Sequence, residues 1–336
     1  MPEFAQYPIR FEPIFVERIW GGRKLQTALG KDLPPGKLIG ESWEISDCGE
    51  HVSTVANGPL AGTRLRELMS RLASAILGID AGPRGAVGAE LVPQFPLLVK
   101  WLDTRDRLSV QVHPPDGHAR LPAGERGKSE CWFVVDADSA AEIFVGLKRG
   151  IDRSAFEHEL SRGTADRCLN VWPARPGDFY SVPAGTVHAI GGGVLIAEIQ
   201  QTSDVTLRLF DWNRLDPATG RPRELHVAAA LDVIDFDRAA LGPVNVAPNA
   251  RSGPAAVELT PPDCREFAVT WRRIVADQPL GAADRFHVLV CIDGRGELVG
   301  GETVPIARGD CVLLPAGGPF ACRPVRSLEL LDARLP

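Results

Sequence analysis

The chain has 336 residues, of which 44% are hydrophobic and 24% charged, a composition that supports two domains or one large one. Its net charge of −6, with both signs interspersed, excludes a basic nucleic-acid binder and a protein held electrostatically on an anionic membrane. No apolar run approaches the ~20 residues of a spanning helix. Residues 1–13 lack a basic and then apolar leader, so a cytoplasmic location is expected. The seven cysteines are scattered without a C-x-x-C pair and read as reduced, buried, small apolar residues.

Glycine at 34 and proline at 28 are plentiful, and short apolar runs bounded by Gly, Pro and Asp predict a mainly β protein with a few short helices. A strand is expected over 8–21 and another over 40–46. Leucines at helical spacing behind Thr63 predict a capped helix over 63–77. The apolar run over 95–102 reads as a buried strand, in which Lys100 is costly unless its head reaches water or an anion. Between Leu108 and Trp132, Ser109, Gln111 and His113 alternate with aliphatics, so they share one face of a strand. Lys128 and Glu130 repeat the two-residue spacing before the next apolar run. Short helices are expected over 152–162 and 224–233.

Two segments repeat. Gly177, Asp178, Pro183 and Gly185 match Gly309, Asp310, Pro315 and Gly317 at a constant offset of 132, which implies two copies of one β unit. His188 in the first copy faces Phe320 in the second. A Pro-, Gly-, Ala- and Asn-rich stretch over 237–257 reads as a linker. The expected organisation is therefore a first domain over 1–236, the linker, and a second β domain over 258–336 without metal ligands.

The spacing G-x5-P-x-G-x-x-H over 177–188 resembles the second motif of the cupin superfamily, which implies two cupin-like (jelly-roll) β-barrels and a metal held inside the first. In that reading His188 joins Gln111, His113 and Glu130. Two imidazoles, an amide and one carboxylate suit a borderline ion such as Zn2+ and leave a divalent ion with one net positive charge. Singly, His51, His158, His226 and His287 read as satisfied core histidines. Gln200 and Thr206 read as an outward sheet face. An arginine flanked by Leu207 and Leu209 is harder to read as a solvated face and suits a carboxylate or phosphate.

The segments L-S-V-Q-V-H-P, G-K-S-E-C-W, V-P-A-G-T-V-H-A-I and E-I-Q-Q-T-S-D-V-T-L-R-L-F-D-W resemble type I mannose-6-phosphate isomerases of the short bacterial form. R-I-W-G-G, G-E-S-W-E-I-S, F-P-L-L-V-K-W-L-D and R-E-L-H-V-A-A-A-L-D-V-I-D-F extend the resemblance over most of the chain. It implies one zinc ion on Gln111, His113, Glu130 and His188. It further implies an active-site arginine at Arg208, its acidic partner at Glu198, and the lysine of K-x-E at Lys128. Ser109 and Lys100 match residues near the phosphate, and Arg214 matches a further basic position. The implied reaction interconverts mannose 6-phosphate and fructose 6-phosphate through a cis-enediol, with Glu198 or Lys128 handling the proton. The implied partner is a small sugar phosphate, and the reduced lid between Glu130 and His188 is compatible with a monomer. The other readings are a dioxygenase-like metal-dependent cupin and a non-catalytic sugar-binding bicupin. Gln111 weakens the first, and the presence of Lys128, Glu198 and Arg208 weakens the second.

Overall fold

The structure, a computed structural model, describes residues 6–79, 93–216, 219–246, 253–281 and 283–336. Strands dominate it, and the few helices are short, the longest being Leu65–Leu77. No helix among the described residues is long and apolar enough to cross a membrane.

A seven-stranded sheet and a five-stranded sheet form the first half of the chain. Between them lies an apolar layer containing Trp132, Tyr180 and Ile196 from the larger sheet and Ile143, Val145 and Ile190 from the smaller. Behind the smaller sheet, Val110, Val112 and Leu209 pack against Phe156 of the Arg153–Ser161 helix and Leu231 of the Val227–Leu231 helix. The second half is an eight-stranded antiparallel sheet. Its alternate residues divide between a core of its own, with Leu289, Val312 and Leu330, and a core shared with the larger sheet of the first half.

The expected 95–102 strand forms as Leu97–Thr104 and is buried along its whole length. It lies within the larger sheet between the strand Val194–Gln201 and the strands Ile14–Gly22 and Ile39–Ile45. The 8–21 segment is broken near Pro13. Its first piece, Ile9–Arg10, crosses to the second half and pairs with Cys311–Leu314, while Ile14–Gly22 stays in the first. The 63–77 helix starts at Leu65 without a side-chain cap, because Arg64 rather than Thr63 occupies the N-cap position. In contrast, Asp152 caps the Arg153–Ser161 helix, accepting from the Ala155 N–H at 2.8 Å. Of the expected 224–233 helix only Val227–Leu231 forms, since the preceding backbone is held against Arg208. Within the 237–257 stretch, Val244–Asn245 pairs with the strand Asp178–Val182, and residues 247–252 lie outside the described residues.

The repeated segments adopt the same turn. Gly177 and Gly309 have φ of 90° and 95°, a conformation open to glycine and strained for other residues. In each copy the following aspartate accepts a backbone N–H three residues earlier: Asp178 from Arg175 at 3.1 Å, Asp310 from Ala307 at 2.9 Å. The carbonyl of Gly309 is also the acceptor for the fully buried Trp101 indole N–H, at 3.0 Å. Replacing Trp101 by Phe keeps most of the ring and strands that carbonyl. The expected cost is about 1–3 kcal/mol by denaturant unfolding, and an unchanged midpoint would show that the bond is dispensable.

Candidate active site

The strand Val110–Val112 is short, yet it aims its side chains as the alternation predicts. Val110 and Val112 enter the apolar layer behind it, and Ser109, Gln111 and His113 face the space between the sheets. Gln111 pairs in register with His188 on one side and Arg208 on the other, so three strands deliver side chains to one place. Glu130 opens the strand Glu130–Ala137 in the facing sheet.

His113, Glu130 and His188 form a buried group whose ligand atoms all lie within 4.8 Å of one another. Glu130 Oε2 is 3.5 Å from His113 Nε2, and Oε1 is 3.3 Å from His188 Nε2. Each imidazole has its Nδ1 against a backbone carbonyl, Val205 at 2.8 Å for His113 and Thr186 at 2.9 Å for His188. This arrangement places the proton on Nδ1 and leaves the Nε2 lone pair aimed at the cluster. Burial, followed by the Lys128 charge, keeps both rings neutral, His188 with a pKa of about 3 and His113 well below the usual histidine value. Glu130 Oε1 and His188 Nε2 are sealed from solvent and have no hydrogen-bond partner among the described residues, and buried polar atoms of that kind call for a partner. Lys128 sets a cation against the other two ligand atoms of the group. Its ammonium bonds Glu130 Oε2 and lies 3.0 Å from His113 Nε2. The donor set and its orphaned atoms fit a divalent metal ion.

Beside the cluster is a cavity of about 290 Å³. Ser109, Gln111, Lys100, Lys128, Glu198 and Arg208 all line it, so the fold brings together most of the residues singled out in the sequence. Glu198 and Lys100 are directly paired in register and form an ion pair at 3.5 Å. The Lys100 ammonium also donates to Gln200 Oε1 at 3.1 Å and sits 4.4 Å from the centre of the Trp43 ring. Burial alone would lower its pKa, but Glu198 and then Glu41 more than offset this and raise it to about 12. Glu198 Oε1 accepts from the Trp132 indole at 3.0 Å. Burial, then the neighbouring Glu130 charge, hold the Glu198 carboxyl above the usual carboxylate range. Arg208 donates from Nε to Ser109 Oγ at 3.3 Å and from Nη1 to the Glu224 carbonyl at 2.8 Å.

Arg214 does not line this cavity. It bonds Asp211, Asp106 and the Arg107 carbonyl instead. Arg223, not singled out in the sequence, does line it while sharing Asp211 with Arg214. Arg18, Trp20 and Glu41 were likewise missed. A signal existed for Glu41, which lies two residues before Trp43 in G-E-S-W-E-I-S, but alternation alone does not say which face lines a cavity. Gln200 is fully buried beside Lys100 and Thr206 lines the cavity, so neither lies on a solvated face. Of the four histidines expected in the core, only His287 is buried, with Asp332 at 2.6 Å, and His158 is exposed on its helix. Phe320, at the position of His188 in the second copy, is packed in apolar surroundings.

Comparisons with known proteins agree with this geometry. A family model described as "Phosphomannose isomerase type I, catalytic domain" matches residues 9–141. The mannose-6-phosphate isomerase ManA of Bacillus subtilis (strain 168) is 36% identical over 312 residues, 92% of this chain and 93% of that protein. The mannose-6-phosphate isomerase of Streptococcus mutans is 35% identical, covering 90% of this chain and 92% of its own. The crystal structure of the mannose 6-phosphate isomerase from Bacillus subtilis superposes with a TM-score of 0.82 at 33% identity, over 98% of this chain and 99% of that one. The fold is thus mainly β and cupin-like. With this likeness spanning nearly the whole chain, the protein belongs to the type I phosphomannose isomerase family.

Proposed function

We propose that this chain is a zinc-dependent isomerase that interconverts mannose 6-phosphate and fructose 6-phosphate through a cis-enediol. The observation that carries the reading is the buried His113–Glu130–His188 group, joined through the Lys128–Glu130 ion pair to a cavity lined by Lys128, Gln111 and a carboxyl of raised pKa, Glu198. Gln111, on the strand between those of His188 and Arg208, is the fourth proposed ligand. Bound by these residues, zinc would supply Lewis-acid polarisation of the sugar oxygens.

The chain's own groups divide the remaining work. Glu198 is the proposed acid–base group that moves the proton between C1 and C2. A carboxyl pushed upward by burial is a better base toward a carbon acid and a more available acid on return. Lys128 offers fixed positive charge for the oxygen on which negative charge grows. Lys100, paired with Glu198 and packed on Trp43, fixes the carboxyl's position. Ser109, Arg208 and Arg223 are the proposed phosphate contacts. Arg214, further back, braces Asp211 beneath Arg223. Family membership favours this reading over an oxygenase or a non-catalytic sugar-binding protein.

Removing metal with a chelator should abolish turnover of mannose 6-phosphate, with zinc restoring it; full activity in metal-free protein sinks the zinc proposal. Glu198→Gln should lower kcat by about 100-fold or more with little change in KM, and full kcat would take the acid–base role from this residue. Arg223→Ala should raise KM for the sugar phosphate by about tenfold or more, and Arg214→Ala by less. The reverse ranking would return the phosphate contact to Arg214.

A further inference from the structure

The cavity is flanked by the ends of two sheets, and the flanks differ in charge. On the side of the Leu207–Phe210 strand, Arg208, Arg214 and Arg223 meet Asp211 and Asp106, leaving one net positive charge. On the side of the Ile14–Gly22 and Ile39–Ile45 strands, Arg18 and Lys100 meet Glu41, Glu198 and Asp204, leaving one net negative charge. A phosphate dianion is favoured on the first flank and opposed on the second. A sugar phosphate seated with its phosphate at Arg208 therefore turns its hydroxyls toward the second.

Arg18 is built as a donor with little net charge. Its Nε and Nη2 bond the two oxygens of Glu41 at 3.0 and 3.1 Å, the bidentate pairing that a planar guanidinium favours. Glu41 is also the acceptor for the Trp43 indole at 2.6 Å, so its oxygens are committed and its carboxylate is anchored. Burial would raise its pKa, but Lys100 and Arg18 hold it down at about 2, so it stays ionised. None of the described residues accepts a bond from Arg18 Nη1, and the side chain, 34% exposed, lines the cavity. A neutralised ion pair with unspent N–H donors suits a neutral oxygen better than an anion.

We propose that Arg18, braced by Glu41, recognises a hydroxyl of the sugar, so that the N-terminal Ile14–Gly22 strand contributes to substrate specificity. This rests on the reading of the cavity as the sugar-phosphate site. Glu41 acts through Arg18 and is a positioning residue.

The test compares Arg18→Ala, Arg18→Lys and Glu41→Gln with wild type. KM and kcat are measured for mannose 6-phosphate, and the inhibition constant for inorganic phosphate. Arg18→Ala should raise KM about tenfold or more while phosphate inhibition stays within about twofold, given that a hydroxyl contact leaves the phosphate site alone. Arg18→Lys keeps the charge and a bond to Glu41 but has no second nitrogen, so its KM should stay near the alanine value. Glu41→Gln, which retains an acceptor for Trp43, should raise KM in the same direction. An unchanged KM in Arg18→Ala, full rescue by lysine, or an equal loss of phosphate inhibition each overturns the proposal. An unchanged KM in Glu41→Gln removes the bracing role. Should wild type fail to turn over mannose 6-phosphate, it is the functional reading that falls instead.

Discussion

Glu130 is a carboxylate sealed from water, and the arrangement around it follows from that. An ionised carboxylate in such a place is tolerated only with cations and donors on its oxygens. Lys128 bonds one oxygen, two imidazoles approach from the other strands, and a divalent ion would complete the set. The same requirement spreads outward. Glu198 feels the Glu130 charge and is balanced by Lys100, Lys100 is balanced again by Glu41, and Glu41 is gripped by Arg18. From Glu198 outward, charges of alternating sign thus run through Lys100 and Glu41 to Arg18 at the rim of the cavity.

Strand pairing makes this alternation rigid. Gln200 lies opposite Glu130, Glu198 opposite both Trp132 and Lys100, and Lys100 opposite Trp43. These pairings set the separations that the charges need, and both faces of the strands involved are buried, so a slip by one residue would turn charged groups into apolar layers. Rigid placement is what the proposed proton transfer between adjacent carbons demands. The position of Lys100 over an indole adds a further restraint, because the ring fills the volume in which the ammonium would otherwise swing.

The second half of the chain separates what the backbone requires from what the chemistry requires. Both copies of the repeat keep the glycines and the aspartate, since the turn fails without a residue able to adopt positive φ and an acceptor for the loop N–H. Only the first keeps a histidine after the turn. In the second, Phe320 fills that position and the space is apolar. The two halves are not independent in packing, because Ile9–Arg10 joins the second sheet and Trp101 bonds Gly309 across their shared core.

By itself the sequence determined those features that depend on short spacings. Alternation placed Ser109, Gln111 and His113 on one face, a glycine-anchored turn presented His188, and an apolar run implied that the head of Lys100 must reach water or an anion. Backbone geometry translates such spacings directly into direction. Tertiary structure alone decided the rest. Gln200 turned inward because its strand is covered on both faces, which hides any alternation. Arg223 rather than Arg214 reached the cavity because loop residues carry no periodicity, and two acidic side chains and a carbonyl claimed Arg214 first. Arg18 and Glu41 joined the site from strands remote in the chain, through sheet pairings that no local pattern encodes.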